Sequence, residues 1–179
     1  MRVIAGKYRS RLLAEFEGKD IRPTSDRVKE SLFGILTPRL YKSRVLDLFC
    51  GSGNLGIEAL SRGAATVVFN DASKASLDVL KKNLKSLKIE GQKILNCDYM
   101  TALGMAEGKF DIIFLDPPYK EEFAPSALKK IAERELLSDD GVIVYERDSE
   151  IQTQVAGLKK TDVRKYGKTV LTFFQKEEV

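Results

Sequence analysis

The stretch LDLFCGSGNLG, residues 46–56, decides the fold because it places a glycine-rich turn between an apolar run and an amphipathic one. Its glycines have the spacing G-x-G-x-x-G, at Gly51, Gly53 and Gly56. A strand, such a turn and a helix, in that order, are typical of the first unit of a doubly wound α/β sheet, in which ligands bind outside the carboxyl ends of the strands. The turn by itself does not say which ligand binds.

The rest of the chain continues the alternation of strand and helix. Helical patterns separate the strand-like runs, and this order predicts a mostly parallel sheet with helices on both faces. Near the end, two β-rich runs meet at residues 166–168, which predicts an antiparallel hairpin that completes a seven-stranded sheet. The other predicted strands are residues 45–49, 66–70, 93–97, 110–115 and 141–146, and the predicted helices are residues 54–62, 73–87, 99–106 and 122–136.

The N-terminal quarter has a different pattern. Residues 2–16 predict a small hairpin or an extended arm, and a helical face follows that starts after Thr24 or Ser25 and ends at Thr37-Pro38. Residues 1–44 contain eleven lysines and arginines against five acidic residues, although the whole chain has a net charge of only +4. This basic quarter is consistent with contact to a polyanion or with a solvated edge, and charge alone does not separate the two.

Composition excludes several classes of function. The 179 residues include no histidine and two cysteines, Cys50 and Cys97, which removes Ser-His-Asp and Cys-His catalysis and the usual four-ligand zinc site. We therefore expect no metal, and a reducing, cytoplasmic location. No run approaches 18 apolar residues and the N-terminus has no secretory pattern, so we expect no membrane span. We also expect a monomer, although no sequence feature determines the oligomeric state.

Three acidic residues lie at or near the ends of the first three predicted strands: Asp47, Asp71 and Asp98. A carboxylate at Asp47 would repel the pyrophosphate of a nicotinamide dinucleotide, whereas it attracts the sulfonium and ammonium groups of S-adenosylmethionine. Asp47 can equally hold the N–H groups of the glycine turn. Asp71 can accept both ribose hydroxyls of either cofactor, and Asp98 can accept from an adenine amino group.

The run FDIIFLDPPYK, residues 110–120, contains the strongest local signal. A predicted buried strand ends at Asp116, and the two prolines after it stop the ladder, which leaves the Pro117 carbonyl rigid and unpaired. These two acceptors can orient an exocyclic amino group on a planar ring and stabilise the positive charge that develops on it, while Tyr119 stacks on the ring. The alternative is a strand-terminating turn with a packed tyrosine. Together with the glycine turn, the motif predicts methyl transfer to an amino nitrogen.

In that order, LDLFCGSGNLG and LDPPY resemble the S-adenosylmethionine-dependent amino-methyltransferases. The segments RVIAGKYRSRLL, IRPTSDRVKESLF, IEALSRGA and YGKT extend the similarity to nearly the whole chain, which resembles the RsmD family of bacterial 16S rRNA (guanine-N2)-methyltransferases. The resemblance implies a Rossmann-like class I fold and methylation of a guanine 2-amino group in 16S rRNA or in a small-subunit assembly intermediate. It divides the chain into a basic RNA-binding extension, residues 1–40, and a methyltransferase domain, residues 41–179.

The resemblance also implies roles for single residues. The catalytic set is Asp116 and Pro117, which orient the guanine amino group, and Tyr119, which stacks on the base. The cofactor set is Asp47, Gly51, Ser52 and Gly53 for the methionine part, Asp71 for the ribose, Asp98 and Tyr99 for the adenine, and Thr24 at a helix N-terminus for the carboxylate, where simple capping is the alternative. Many relatives have Glu in place of Asp71 and Phe in place of Tyr119.

Basic residues of the extension are predicted to hold RNA phosphates without reading sequence. We expect deletion of residues 1–16 to leave cofactor binding intact and to abolish RNA methylation. The predicted phosphate contacts are Arg2, Lys7, Arg9, Arg11, Arg22, Arg27 and Lys29.

Two other functions remain open at this point. A DNA adenine amino-methyltransferase shares the D-P-P-Y motif but usually has an added target-recognition region. A ribosome-assembly protein with secondary methylation would use the basic extension, but it has no need of an intact cofactor turn. Cys50 and Cys97 are both distant in sequence from the D-P-P-Y motif, so we interpret them as small buried residues rather than nucleophiles.

Overall fold

The computed structural model describes residues 1–16, 24–118 and 122–178. Within these residues, strands and helices alternate after an N-terminal arm, residues 1–16, and a first helix. The helices are α1 (Asp26–Leu40), α2 (Asn54–Ser61), α3 (Lys74–Ser86), α4 (Tyr99–Met105) and α5 (Ala124–Glu133). The strands are β1 (Arg44–Asp47), β2 (Thr66–Asn70), β3 (Lys93–Leu95), β4 (Phe110–Leu115), β5 (Leu137–Arg147), β6 (Leu158–Tyr166) and β7 (Thr169–Lys176).

The strands form one seven-stranded sheet in the order β3-β2-β1-β4-β5-β7-β6. The first five strands are parallel to one another, and β7 lies antiparallel to both β5 and β6. The predicted fold, a mostly parallel sheet closed by an antiparallel hairpin, is therefore confirmed. The carboxyl ends of β1 to β5 all lie at one edge of the sheet, since parallel strands end on the same side.

Each face of the sheet is covered by a separate set of helices. The helices α1, α2 and α3 pack on one face, where Phe33, Ile57 and Leu80 are fully buried against the strands. On the other face α4 and α5 pack through residues such as Leu103 and Leu128. No helix in the described part of the chain is both long and apolar enough to cross a bilayer.

Several element bounds differ from the sequence prediction, and the differences at α1 and β5 have a clear physical reason. Helix α1 continues past Pro38 to Leu40, because a proline in the last turn removes only one helical hydrogen bond and the Leu40 side chain gains burial. Strand β5 begins at Leu137, four residues before its predicted start, and Leu137 pairs with Phe110 of β4 ahead of a bulge. The run Ser-Asp-Asp-Gly at residues 138–141 concealed this start because aspartate and glycine are poor strand formers.

The arm is a closed loop rather than a regular hairpin. Its only pairing of strand type is one antiparallel bridge between Arg2 and Leu12, with main-chain bonds from Val3 N–H to the Arg11 carbonyl and from Ser10 N–H to the Val3 carbonyl. Val3 and Leu13 are buried in the same core as α1 and α2. The arm therefore packs on the helices as part of the fold.

Candidate active site

The glycine turn leads from β1 into α2, and close packing dictates two of the glycines of its motif, Gly53 and Gly56. Gly53 has φ of +93°, and a Cβ atom there would lie 2.3 Å from Leu80 Cδ1. A Cβ on Gly56 would lie 2.3 Å from the Phe69 ring. The turn is therefore pressed against α3 and β2, and a side chain at either position would force it outward.

Two of the three predicted acidic residues hold this turn by hydrogen bonds. Asp47 is 1% exposed, and its Oδ2 accepts from Gly56 N–H at 3.0 Å. Asp71 accepts from Gly51 N–H and from Ser73 N–H, both at 2.8 Å. Burial raises the pKa of Asp47 to about 7, although the Gly56 hydrogen bond opposes the shift. Asp47 is thus a buried carboxyl group beneath the turn whose ionised form is disfavoured by burial.

The ends of β1, β2 and β3 are joined by an asparagine that the sequence analysis missed. The Asn70 side chain is buried, and its Nδ2 donates to the Leu48 and Cys97 carbonyls, both at 3.1 Å. Cys97 Sγ also contacts Asn70 Oδ1 at 3.3 Å. Asn70 therefore fixes the spacing of three strand ends at the edge where the candidate site lies.

Asp98 and Tyr99 begin α4 at this edge. Asp98 is the exposed N-cap, and its hydrogen bonds from the Thr101 hydroxyl and N–H hold its pKa below the usual range. The Tyr99 ring packs on two aromatic rings that sequence patterns did not single out, with centroids 5.6 Å away for Phe49 and 4.9 Å for Phe123. Phe49 and Phe123 stack on each other at 5.6 Å, so the three half-buried rings form one apolar surface.

Asp116 and Pro117 directly follow β4, at the carboxyl edge of the sheet. Asp116 is half-buried and Pro117 is buried, and no described group donates a hydrogen bond to the Asp116 carboxylate or to the Pro117 carbonyl. Burial, the charge of Glu146 and the charge of Asp47 together raise the pKa of Asp116 well above its usual range. Tyr119 lies outside the described residues.

Near the end of β5, Glu146 is an acidic residue that the sequence analysis missed. It is 3% exposed, and the Thr24 hydroxyl bonds its Oε1 at 3.0 Å and its Oε2 at 2.8 Å. Because β5 is the parallel neighbour of β4, with Leu115 opposite Tyr145, Glu146 lies next to Asp116. Burial raises the pKa of Glu146, and the Thr24 bond opposes the shift. A signal was present in the sequence, since an acid ends the apolar run GVIVYE.

The structure revises the role predicted for Thr24. Ser25, not Thr24, caps α1, and its hydroxyl accepts from Val28 N–H at 3.3 Å. The Thr24 hydroxyl is committed to the Glu146 carboxylate. The contact with Glu146 therefore places Thr24 at the carboxyl edge of the sheet.

Most of the predicted RNA contacts lie on an exposed surface, with one exception. Lys29 is 0% exposed, and its Nζ donates to the Arg2 carbonyl at 2.6 Å and to Asn54 Oδ1 at 2.7 Å, and pairs with Glu58 at 3.3 Å. The prediction that Lys29 contacts RNA is wrong, because helical periodicity places it on the buried face of α1. Arg22 lies outside the described residues. Those exposed are Arg2, Lys7, Arg9, Arg11 and Arg27.

The cysteines match their interpretation as packed residues. Cys50 is buried, and desolvation raises the pKa of its thiol well above the usual range, so a thiolate is disfavoured there. Cys97 is half-buried. Among the described side chains, no group of three or more His, Cys, Asp or Glu is arranged to hold a metal ion.

Comparison with known proteins shows the family of this chain. Residues 1–175 match the model of the family described as Conserved hypothetical protein 95, Cons_hypoth95. The chain belongs to this family. The resemblance to the RsmD family is confirmed as well, because relatives that are 38% and 35% identical to this chain carry the name Ribosomal RNA small subunit methyltransferase D.

The relatives cover most of the chain. The Haemophilus influenzae protein of that name is 38% identical over 84% of this chain and 80% of its own, and the Escherichia coli protein is 35% identical over 84% and 76%. YlbH of Bacillus subtilis is 41% identical over 98% of this chain and 99% of its own. The solved structure of yhhF from Escherichia coli superimposes with a TM-score of 0.88, at 32% identity, and covers 99% of this chain and 98% of that one.

The segments that carry the resemblance outside the cofactor turn contact one another. Glu58, in IEALSRGA, is fully buried and accepts from the N–H groups of Ile4 and Ala5, in RVIAGKYRSRLL, at 2.9 and 3.1 Å. Lys29, in IRPTSDRVKESLF, pairs with the same carboxylate. In this member of Cons_hypoth95, the three segments together hold the arm on α1 and α2.

Proposed function

We propose that this protein transfers a methyl group from S-adenosylmethionine to the 2-amino group of a guanine in 16S rRNA. The observation that carries the proposal is the pair of unbonded acceptors at Asp116 and Pro117, at the strand edge that also holds the glycine turn. The names of the Haemophilus influenzae and Escherichia coli relatives support ribosomal RNA of the small subunit as the substrate.

The residues around the turn fit S-adenosylmethionine. Asp47 lies buried beneath the turn, where a sulfonium and an ammonium group would favour its ionised form and a pyrophosphate would oppose it. Asp71, at the end of β2, is partly exposed, and its oxygens have lone pairs left for ribose hydroxyls beyond the two N–H bonds they accept. Asp98 and the ring of Tyr99 suit an adenine, whose two faces are apolar and whose amino group is a donor.

When bound, S-adenosylmethionine supplies an electrophilic methyl on a sulfonium sulfur. The chain's part is to place the amino nitrogen in line with that methyl and to stabilise the charge that develops on nitrogen. Asp116 and the Pro117 carbonyl accept the two N–H bonds of the amino group, so its lone pair turns out of conjugation with the ring. Methylation would leave the amino nitrogen with one proton to lose, and the Asp116 carboxylate would accept that proton and pass it to solvent.

The exposed basic residues of the arm and α1 hold the RNA, in this proposal, through its phosphates. Residues 1–40 then act as an RNA-binding extension of the methyltransferase domain, residues 41–179. The target guanine must leave its stack to reach the acceptors at the strand edge.

The proposal is tested by deleting the gene, mapping methylated guanines of 16S rRNA by mass spectrometry, and restoring the modification with purified protein and S-adenosylmethionine. We expect one N2-methylguanine to disappear and to return. An adenine that loses its methyl group in genomic DNA, with 16S rRNA unchanged, would instead support a DNA amino-methyltransferase. Full methylation of both nucleic acids in the deletion strain would contradict methyl transfer to either.

A further inference from the structure

The second half of α3 presents a row of exposed lysines that lies outside the predicted RNA-binding extension. Helix α3 and the residue pair after it contain five lysines and one aspartate between residues 74 and 88. Lys74 pairs with that aspartate, Asp78, at 3.0 Å. None of the other four has an acidic partner within ion-pair distance among the described residues. They are Lys81, Lys82, Lys85 and Lys88, and all four are exposed.

The arm is bound to this same part of α3. Arg11 donates from its guanidinium to the Ser86 carbonyl at 3.0 Å, which holds an arginine of the arm at the last turn of the helix. Nearby, Asn83 exchanges hydrogen bonds with the main chain of Ala14, at 2.8 and 3.0 Å. The cations of the arm and the lysines of α3 are therefore neighbours on one continuous surface.

A groove borders this surface. It has a volume of about 420 Å³ and lies between the end of α3 and the start of β3, with Lys81, Lys85 and Lys88 along its rim and Ile89 among its lining residues. Glu90 is the acidic residue in its lining. A groove rimmed by unpaired cations at three- and four-residue spacing suits a phosphodiester backbone, which presents negative charges in series.

We infer that Lys81, Lys82, Lys85 and Lys88, with Arg11, form an α3 docking surface for the phosphate backbone of the substrate rRNA, away from the target base. This inference rests on the proposed function for the identity of the RNA. The surface extends the binding site from the arm along α3, on the sheet face that carries α1 and α2. The opposite face carries α5, whose Lys129 is paired with Glu133 at 3.7 Å.

The experiment compares a triple variant, Lys81→Gln, Lys85→Gln and Lys88→Gln, with a control variant, Lys129→Gln and Lys130→Gln. Binding is measured for protein-free 16S rRNA and for small ribosomal subunits from the deletion strain, at several salt concentrations. We expect the triple variant to bind RNA about tenfold more weakly than wild type. Its plot of log affinity against log salt concentration should be less steep, by about two in slope, because fewer phosphate contacts release fewer counterions. We expect S-adenosylmethionine affinity to stay normal and the control to match wild type.

Binding that is as tight and as salt-dependent as wild type in the triple variant would overturn the docking surface. So would photo-crosslinks from position 85 that reach a ribosomal protein instead of RNA. The proposed function fails separately, if the wild-type protein binds 16S rRNA but methylates no guanine in it. In that case the affinity and the salt slope still test the docking surface, since neither measurement needs the reaction.

Discussion

Asn83 joins the arm to the cofactor turn. Its side chain is 3% exposed, and Nδ2 donates both to the Ala14 carbonyl and to the Ser52 carbonyl at 3.0 Å, while Oδ1 accepts from Ala14 N–H. Lys29 makes a second connection of the same kind, from the Arg2 carbonyl to Asn54. Two buried polar side chains, on α3 and α1, thus bridge the arm to residues 52 and 54.

These bridges change what arm deletion is expected to do. The sequence analysis expected cofactor binding to survive removal of residues 1–16. The structure shows that this deletion removes the arm's hydrogen bonds to Asn83, Glu58 and Lys29, which lie next to the turn, so we now expect weaker cofactor binding as well as lost RNA methylation.

Asn83→Leu tests the bridge directly. We expect S-adenosylmethionine to bind about tenfold more weakly, because the Ser52 and Ala14 groups lose their partner and the turn relaxes. Isothermal titration well below the unfolding temperature measures the change. The matched control is Arg11→Gln, which removes the other arm contact on α3 but touches no residue of the turn. If Asn83→Leu and Arg11→Gln bind S-adenosylmethionine equally tightly, the Asn83 bridge does not contribute to cofactor binding.

Lys29→Met tests the burial of a residue that the sequence assigned to RNA. We expect the free energy of unfolding to fall by about 2 kcal/mol, since Glu58 loses one of its two buried ion pairs and keeps the other, with Arg62 at 2.8 Å. Arg27→Met, two residues earlier and exposed, is the control and is expected to change stability by less than about 0.5 kcal/mol. Denaturant titration compares them, and similar values for both would contradict the buried pair.

Asp116→Ala tests the acceptor role. We expect turnover to fall by about a hundredfold or more, because the amino group loses an acceptor that is needed most in the transition state. S-adenosylmethionine affinity should stay close to wild type, since the proposed partner of Asp116 is the base and not the cofactor. Single-turnover methylation and titration of the cofactor separate the two effects, and normal turnover would rule out the role.

Glu146→Gln tests the charge beside Asp116. The negative charge of Glu146 is among the causes of the raised pKa of Asp116, so its removal should let Asp116 ionise at lower pH. We expect the rise of kcat/KM with pH to move to lower pH, while Thr24 keeps a hydrogen-bond partner in the glutamine. Asp139→Asn, at an exposed site, is the control. A profile that does not move would exclude coupling between the two acids.

Asp47 makes stability depend on pH. Its pKa is about 7 in the folded protein against an ordinary 3.8, so between these values the folded state holds a proton that the unfolded state has lost. Stability is therefore greatest below the ordinary value and falls as pH rises through about 7. Asp116 and Glu146 act in the same direction.

Asp47→Asn should flatten this decline and raise the unfolding temperature of the ligand-free protein at pH 8, because the amide oxygen can still accept from Gly56 N–H. Thermal unfolding between pH 4 and pH 8 measures it. S-adenosylmethionine should stabilise the wild type more at pH 8 than at pH 5, since a cation favours the ionised carboxylate. The same decline in both proteins would contradict the assignment to Asp47.

The sequence by itself determined that the first strands are parallel and at which edge of the sheet the candidate site was to be sought. Alternation of strands and helices leaves parallel strands with their carboxyl ends together, so Asp47, Asp71, Asp98 and Asp116 could be assigned to one edge before any coordinates. The acceptor role of the D-P-P-Y motif could be predicted from the chemistry of proline and carboxylate alone. These are local features, read over a few residues.

Only the tertiary structure decided which residues meet across the chain. Glu146 joins Asp116 because β5 pairs with β4, and Phe49, Tyr99 and Phe123 come from three separate segments. Lys29 looked like a surface cation, yet it is buried against Glu58, 29 residues away, since a buried charge is stable only beside a partner that no local pattern reveals. The same holds for α3, whose lysines gain a neighbouring arginine only when the arm folds back onto the helix.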